Sequence, residues 1–463
     1  MVELDLEDFH QIKKMATEFQ SSELTRDQIV SQIYQKSGEI TRKVVKKKTT
    51  KIDIDRKIDD ILTSKVFGYP IMLMVLGGVL WLTITGANYP SQMLSTLFFW
   101  GQEQLTNIFQ ALNAPSWLHG VLVLGMYRGL AWVVSVMLPP MAIFFPLFTI
   151  LEDLGYLPRV AFNLDRFFQR AGAHGKQSLT MSMGFGCNAA GVIACRIIES
   201  PRERLIAILT NNFVPCNGRF PTLITIAIIF FGAAVGALYS TLVASFVVVG
   251  LVLVGISVTL FISWFLSKTM LKGVPSSFTL ELPPYRRPQV MRVFIRSVFD
   301  RTIFVLKRAI IVAAPAGAIT WLFANIYIGD ANLIDIVASW LQPVGYAIGL
   351  DGYILLAFIL GFPANEIVFP ILIMSYLSQG SMVELDSLQA LKELLLNNGW
   401  TWLTALNLLL FSLLHFPCAT TMLTIRKETG SIKWTALAFI IPTSIALIVT
   451  FTITQVVRML GLI

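Results

Sequence analysis

The sequence predicts an all-α polytopic membrane protein of about seven to eight transmembrane helices, arranged as two inverted repeats with re-entrant or broken gate helices. Of its 463 residues, 55% are hydrophobic and 14% are charged, whereas soluble domains average about 25% charged residues. Several apolar stretches are long enough for the roughly 30 Å hydrocarbon core. A polar interruption also occurs twice, at residues 183–188 (MGFGCN) and 361–366 (GFPANE), which predicts a paired site.

Residues 1–66 form a polar segment that we predict to be a cytoplasmic, partly helical and basic linker region. The first 66 residues are polar, so we expect no signal peptide. The basic run at 42–48 (RKVVKKK) either contacts anionic lipid or is a solvated linker. Residues 52–62 carry an amphipathic stripe that suits the membrane interface.

Residues 67–117 are predicted to hold the first transmembrane helix, at about 67–85, and an external interfacial segment at about 92–112. Lys and Arg crowd the N-terminal side of this span, and residues 87–117 contain neither. Because cytoplasmic loops are enriched in Lys and Arg, this asymmetry predicts a cytoplasmic N-terminus.

Residues 118–266 form the first predicted gate repeat. Its first span contains Pro139 and Pro140, which should produce a kink or a partly unwound turn. Arg128 lies in the same span and is either structural or part of a pathway. The apolar segment 179–198 has basic residues on both flanks, which favours a re-entrant or broken helix. Two further spans follow, and residues 267–302 are predicted to be a cytoplasmic basic loop.

Residues 303–463 form the second predicted gate repeat, with its motif in the apolar segment 354–376 and a polar, external insertion at 377–399. The first repeat begins outside and the second inside, which is the pattern of inverted-topology transporters. If both motif segments are re-entrant, the chain crosses the membrane seven times and ends outside. If residues 354–376 cross completely, the count is eight.

Side chains that could bind an ion cluster around these interruptions. Mixed sulfur, amide oxygen and carboxylate donors suit a first-row divalent ion such as ferrous iron better than magnesium or calcium, which prefer oxygen alone. A deprotonated ligand would offset the cost of carrying a doubly charged ion through hydrocarbon. The predicted metal-binding residues are Cys187, Asn188, Cys216, Asn365, Glu366 and Cys418.

Other polar or sulfur-bearing residues have simpler explanations. Cys195 is interpreted as a small core residue, and Met374 and Met422 as packing residues. His415 lies three residues before Cys418 and is a weaker ligand candidate. For Glu366 the alternative is a role in holding neighbouring backbone. The chain contains no Gly-x-x-x-x-Gly-Lys-Ser/Thr loop, so the sequence indicates a transporter and not a nucleotide-binding enzyme.

A series of short motifs resembles the membrane part of the ferrous-iron transport protein B (FeoB) family over about residues 50–460. These motifs are 184–188 (GFGCN), 199–205 (ESPRERL), 215–221 (PCNGRFP), 281–286 (ELPPYR), 417–421 (PCATT) and 426–431 (RKETGS). The resemblance implies ferrous-iron uptake across the bacterial cytoplasmic (inner) membrane, with Fe²⁺ as the transported ion and no permanently bound cofactor. It also implies that Cys187 and Cys216 are gate cysteines and that Cys418 is a further family cysteine.

Two departures from the family pattern affect the expected partners and the substrate. The family's N-terminal GTP-binding domain is missing, so we expect a separate FeoB-like GTPase chain and allow for a small FeoA-like protein. Membrane lipids and further copies of the chain are other expected partners, and nucleic acid is not. The second motif reads Ala364, Asn365, Glu366 where the family usually has a lysine before the glutamate. Transport of Mn²⁺ or a nucleoside-like solute, or a role as a membrane scaffold or redox sensor, therefore stays open.

Overall fold

The structure is a computed structural model, and it describes residues 32–33, 35–40, 43, 54–64, 66–232, 240–273, 285, 288–383 and 387–462. Most of the predicted linker, the basic run at 42–48 and the motif at 281–286 therefore lie largely outside the described residues. The described residues up to 60 belong to one unit, in which 32–33, 35–40, 43 and 54–60 are helical, and the described residues from 61 onward belong to a second unit.

The described chain is almost entirely helical. The helices of the first half are α1 (Ile54–Leu62), α2 (Gly68–Ala111), α3 (Ser116–His119), α4 (Arg128–Asp153), α5 (Tyr156–Arg170), α6 (Gln177–Gly186), α7 (Asn188–Ala194), α8 (Pro201–Thr210), α9 (Phe220–Ile226) and α10 (Ser240–Lys268). A π-helix (Gly120–Tyr127) joins α3 to α4, and another (Ala227–Gly232) extends α9. Short 3₁₀ turns follow α7 (Cys195–Ile197) and α8 (Asn211–Phe213).

The second half of the described chain is also mainly helical. Its helices are α11 (Val290–Arg296), α12 (Ile303–Asn325), α13 (Leu333–Ala347), α14 (Gly352–Leu360), α15 (Val368–Tyr376), α16 (Leu388–Asn397), α17 (Trp402–Leu414), α18 (Ala419–Thr429) and α19 (Ile432–Met459). A π-helix (Ser297–Thr302) joins α11 to α12, and a 3₁₀ turn (Asn365–Ile367) precedes α15. Strands β1 (Tyr327–Ile328) and β2 (Ala331–Asn332) form an antiparallel pair.

Side-chain contacts gather one set of helix ends on what we call the proximal face, around Asn163, Lys176 and Glu428. Asn163 donates to the carbonyl oxygen of Leu62 at 2.7 Å, which ties α5 to the chain just before α2. Lys176 pairs with Glu199 at 3.2 Å. Arg196 makes a bidentate ion pair with Glu428, with both nitrogen–oxygen distances at 2.7 Å. The start of α2, both ends of the α6–α7 segment and the end of α18 therefore share this face.

A second set of contacts defines the distal face, around Asp351, Tyr376 and Trp400. The Tyr376 hydroxyl donates to the Asp351 carboxylate, and it accepts a bond from the Trp400 indole nitrogen at 2.8 Å. Asp351 precedes α14, and Tyr376 ends α15, so one hydrogen bond closes the open end of this helical hairpin. Gln455, near the end of α19, donates to the carbonyl oxygen of Ala347 at 3.1 Å.

These contacts establish an inverted arrangement of two re-entrant hairpins. The α6–α7 segment begins and ends at the proximal face, whereas the α14–α15 segment begins and ends at the distal face. The predicted all-α polytopic fold is confirmed. Each motif segment has both ends at one face, which agrees with the predicted re-entrant segments. From the positions of the helix ends, we infer that seven segments of the described chain run between the two faces: α2, α3–α4, α8–α9, α10, α11–α12, α17–α18 and α19.

Length and apolarity alone identify fewer of these spans. Among the described residues, five helices are long and apolar enough to cross a membrane, and one bent pair, α13 with α14 at 112°, would raise the number to six. The α8–α9 crossing falls below this threshold because residues 211–219 interrupt it. Broken spans of this kind are what place polar backbone inside a transporter. The chain is a multi-pass membrane protein with several interrupted helices.

The two repeats meet at closely packed glycines. A Cβ atom built on Gly317 in α12 would overlap the carbonyl oxygen of Gly125 in the π-helix. One built on Gly129 would stand 3.1 Å from the Cα atom of Gly317. Small residues let membrane helices approach at backbone distance, so this contact joins the first crossing of repeat 1 to that of repeat 2.

The prediction of two separate helices in residues 67–112 is wrong. The first span and the segment at 92–112 are one continuous 44-residue helix, α2, which runs through Pro90. A proline in a helix removes one backbone donor, and α2 continues past that loss. The prediction at Pro139 and Pro140 was a kink or a partly unwound turn. α4 has no unwound turn at these prolines, and a π-helix lies upstream at Gly120–Tyr127.

Candidate ion site at four helix breaks

Four interruptions of helical structure converge between the two repeats. They lie between α6 and α7, between α8 and α9, between α14 and α15, and between α17 and α18. Together with Met137 and Met141 of α4, they line one cavity of about 30 Å³, which is enough for about one water molecule. All six residues predicted from the sequence line this cavity: Cys187, Asn188, Cys216, Asn365, Glu366 and Cys418.

The first break shows why Cys187 faces the cavity. Cys187 has extended backbone angles, φ −156° and ψ 127°, and is the N-cap of α7. Ala364 adopts nearly the same angles, φ −151° and ψ 119°, before the second hairpin turn. The motifs 184–188 (GFGCN) and 361–365 (GFPAN) align Cys187 with Ala364, and the two residues share the same backbone conformation. The thiol is present in one repeat only, so the site is asymmetric.

Asn188 makes hydrogen bonds to neighbouring residues that the sequence did not predict. Its amide nitrogen lies 3.3 Å from the side-chain oxygen of Asn212, and the opposite amide orientation would place that nitrogen 3.2 Å from the carbonyl oxygen of Val214. The carbonyl oxygen of Asn188 accepts from Asn211 at 3.1 Å. Asn188 therefore braces the α6–α7 break against the α8–α9 break in addition to lining the cavity.

Donor atoms of the two repeats approach each other across the cavity. The amide nitrogen of Asn365 lies 4.0 Å from the sulfur of Cys216. The amide oxygen of Asn365 is buried without a hydrogen-bond partner among the described residues. Such an orphan costs about 1–3 kcal/mol, and a cation would satisfy it. Cys418 lies 3.3 Å from the hydroxyl of Thr421, which lines the same cavity.

Glu366 is placed by a glycine of the other repeat. A Cβ atom built on Gly218 would overlap the Glu366 carboxyl group and stand 3.0 Å from its Cγ atom. Gly218 has no positive φ angle, so its backbone conformation does not itself require glycine. What requires glycine is the space that the carboxyl group occupies. Among the described residues, Glu366 is the only carboxylate that lines the cavity. Its position therefore depends on Gly218, which lies in the same break between α8 and α9 as Cys216.

Arg219 is the residue that the sequence interpretation missed. It is 1% exposed, and its guanidinium donates to the carbonyl oxygens of Leu413 at 2.8 Å and Phe416 at 3.3 Å. It also donates to the carbonyl oxygen of Asn212 at 3.1 Å. The carbonyl groups freed by the end of α17 are thereby satisfied from the opposite repeat, as helix C-termini require. A single arginine within an apolar span was the available signal.

His415 and Cys195 do not reach the cavity. The His415 ring packs against Phe358 and Phe416, with centroid distances of 4.7 and 5.0 Å, and it is absent from the cavity wall. The weaker prediction of His415 as a ligand is therefore not supported by its position. Cys195 is fully buried and its thiol contacts the carbonyl oxygen of Gly191 at 3.3 Å, as expected of a core residue.

The donors that line the cavity stand too far apart to hold a metal ion together. All four cysteines are free thiols, and among the described residues no three His, Cys, Asp or Glu side chains stand in an arrangement that would hold a metal ion. An ion entering the cavity would therefore have to draw the donors inward. The four breaks supply the movable backbone for such a change, because their helical hydrogen bonding is already interrupted.

Comparison with known proteins connects this architecture to one family. A family model described as nucleoside recognition, Gate, matches residues 134–230 and 306–432, which contain all four breaks. A second model, described as the C terminus of ferrous iron transport protein B, matches residues 248–300. The chain corresponds to the membrane part of the FeoB family. No solved structure matches the chain.

Named FeoB relatives align over most of the chain. The Fe(2+) transporter FeoB of Staphylococcus aureus strain MSSA476 is 30% identical over 86% of this chain and 59% of the relative. That of Campylobacter jejuni is 26% identical over 95% of this chain and 73% of the relative. A fusion of Fe(2+) transport protein A with FeoB from Porphyromonas gingivalis is 26% identical over 86% and 51%. The chain thus spans about 59% of the length of the first relatives.

Proposed function

We propose that this chain carries ferrous ions across the bacterial cytoplasmic membrane through the cavity at the four helix breaks. The observation that carries the proposal is the convergence of three thiols, a carboxyl group and an unpartnered amide oxygen on one cavity between inverted repeats. The relatives named Fe(2+) transporter support the same substrate. Sulfur donors favour iron over manganese, which prefers oxygen ligands.

A divalent ion in the cavity needs negative charge nearby, which thiolates and a carboxylate can supply. Arg219 lies within electrostatic range of Cys216, Glu366 and Cys418, so a cation in the cavity meets an existing positive charge. The carboxylate of Glu366 can balance that arginine. Thiolates formed by loss of protons to solvent would then balance the divalent ion, as metal binding by cysteine requires. Neither repeat alone supplies this set.

The small volume of the cavity, about 30 Å³, also supports control by a partner. A site that must open before an ion fits is suited to gating, and we infer that a separate FeoB-like GTPase chain provides it from the proximal face. The proximal face is then cytoplasmic, consistent with the basic flanks of the first span. The Porphyromonas fusion protein supports an additional FeoA-like partner. Omitting a FeoB-type GTPase and GTP from an uptake assay should slow transport, and equal rates would contradict the partner proposal.

A nucleoside-like substrate is the second candidate, because the matching Gate model carries that description. The cavity volume argues against it. A space of about 30 Å³ is far below the roughly 300–1,000 Å³ of small-molecule sites. Thiol and carboxyl donors also suit a metal ion better than a sugar or base. Excess nucleoside should leave iron uptake unchanged, whereas Mn²⁺ should compete weakly.

The deciding experiment measures Fe²⁺ uptake by proteoliposomes containing the full chain and a FeoB-type GTPase, with a chromogenic iron chelator inside. Replacing both Cys187 and Cys216 by Ser should reduce the uptake rate at least tenfold. Cys195→Ser is the matched control, because Cys195 is buried but does not line the cavity, and it should transport normally. Unchanged uptake in the double variant would overturn the proposal.

A further inference from the structure

A second and larger cavity lies beside the gate. Its volume is about 350 Å³, within the roughly 300–1,000 Å³ range of small-molecule sites. Its walls come from α2, α4, α5, α6 and α10 and are almost wholly apolar, with Leu76, Phe148 and Met181 as examples. None of the six predicted ion-site residues lines it.

Two residues that line this cavity are also exposed on the outer surface of apolar helices. Leu73 of α2 and Leu253 of α10 both line the cavity and are 46% and 45% exposed. Both helices qualify as membrane spans by length and apolarity. The lining residues of α2 run from Tyr69 to Val79, a rise of about 15 Å at 1.5 Å per residue. The cavity therefore extends from the proximal face into the depth occupied by lipid tails.

One hydroxyl group in the cavity wall has no hydrogen-bond partner among the described residues. The Tyr69 hydroxyl donates to the carbonyl oxygen of Asn163 at 3.2 Å, and the hydroxyls of Ser178 and Ser182 donate to backbone carbonyls of their own helix region. The Tyr156 hydroxyl is buried and has no hydrogen-bond partner among the described residues. Burial raises the pKa of Tyr156 to about 12, so the group remains a protonated donor that needs an acceptor.

We propose that this cavity binds one acyl chain of a membrane phospholipid, with the Tyr156 hydroxyl donating a hydrogen bond to the ester carbonyl oxygen. The chain fits the apolar walls and enters through the opening between Leu73 and Leu253. An ester carbonyl accepts hydrogen bonds without donating any, which matches a lone phenol donor. The ester group would sit at the proximal end, where Tyr156 begins α5.

The lipid site shares a wall with the ion site. Phe144 lines the large cavity, and a Cβ atom built on Gly186 would stand 2.6 Å from a carbon of its ring. Gly186 in turn lines the small cavity next to Cys187. An acyl chain packed on one side of Phe144 would hold the ring against the α6–α7 break, so lipid occupancy bears directly on a segment that the gate must move.

The test uses the full chain in nanodiscs doped with phosphatidylglycerol that carries a diazirine within one acyl chain. After irradiation and digestion, mass spectrometry should find label on Met181, which is 4% exposed and out of reach of lipid outside the cavity. Leu76→Trp fills the cavity and should lower that label at least tenfold. Met74→Trp is the matched control, because Met74 is on the same helix but 74% exposed, and it should leave the label unchanged.

Two further variants test the hydrogen bond and the filling of the cavity separately. Tyr156→Phe keeps the volume and removes the donor, so it should lower the label two- to tenfold, the range of one hydrogen bond. Ile256→Trp fills the cavity from α10 and should repeat the loss if Leu76→Trp does not fold. Absence of label on Met181 in the wild-type chain, or equal label in the filled variants, would overturn the proposal. Labelling by a diazirine fatty acid but not by the phospholipid would also overturn it.

Discussion

Replacing Gly218 by Ala tests the position of the Glu366 carboxyl group without substituting any proposed ligand. Because Gly218 has no positive φ angle, alanine fits its backbone, and the three atoms nearest to the new methyl group belong to the carboxyl group and Cγ of Glu366. The carboxyl group must therefore move away. The variant should fold but lose one donor from the cavity.

The size of that movement follows from the geometry. Ordinary van der Waals contact begins at 3.4 Å, and the nearer carboxyl oxygen lies inside that distance by about 1 Å or more. Metal–ligand distances tolerate only about 0.2 Å, and a misplacement of about 1 Å costs up to about 100-fold in a positioned site. We expect Gly218→Ala to lower the Fe²⁺ uptake rate about 10- to 100-fold.

The assay is uptake into proteoliposomes, with the melting temperature measured in parallel. Gly250→Ala is the control, because a Cβ atom there meets nothing within 4 Å, and it should transport normally. Combining Gly218→Ala with Glu366→Asp shortens the side chain by one carbon–carbon bond of about 1.5 Å and should restore part of the rate. Wild-type uptake by Gly218→Ala would refute this account of the carboxyl position.

Three further substitutions test contacts between the repeats, at Arg219 and Gly317, and a contact that closes the second hairpin, at Tyr376. Arg219→Met should lower the free energy of unfolding by about 3 kcal/mol or more, because several buried carbonyl groups lose their donor at about 1–3 kcal/mol each. Gly317→Val should destabilise the fold by several kcal/mol or prevent its assembly, since its side chain would overlap the backbone of Gly125. Tyr376→Phe should cost about 1–3 kcal/mol, because the Asp351 carboxylate loses a buried donor.

Thermal unfolding in detergent checks all three, with Gly77→Ala as the neutral control, because nothing lies within 4 Å of a Cβ atom at that glycine. A wild-type melting temperature for Arg219→Met would show that the α17 carbonyls find other donors. For Gly317→Val, a stable protein would mean that the helices can separate without loss. For Tyr376→Phe, the informative contrary result is an unchanged melting temperature together with normal uptake.

The re-entrant segments were predictable from charge. Basic residues flank 179–198 on both sides, and a segment whose two ends prefer one face must return to it. The structure realises this with the Lys176–Glu199 and Arg196–Glu428 pairs. The second hairpin was harder to predict, because its ends are held by Asp351 and Tyr376, whose partnership across 25 residues leaves no periodic signal.

The sequence predicted which polar and sulfur-bearing residues line the cavity. It did not predict the residues that position them. Cysteine, asparagine and glutamate stand out within apolar spans, and all six candidates line the same space; their role as ion ligands stays a prediction. Gly218 and Met137 resemble ordinary membrane residues, so their positions depend on three-dimensional packing. The end predicted for the first span, at about residue 85, is wrong because α2 continues as one helix to Ala111.

The central claim is that sulfur from Cys187 and Cys216 contacts the ferrous ion. X-ray absorption at the iron edge, on purified full chain loaded with Fe²⁺ under anaerobic conditions, tests it most directly. Sulfur scatterers should appear in the first coordination shell of the wild-type chain and of Cys195→Ser, and they should be lost when both Cys187 and Cys216 are replaced by Ser. A shell of oxygen and nitrogen alone in the wild-type chain would contradict it.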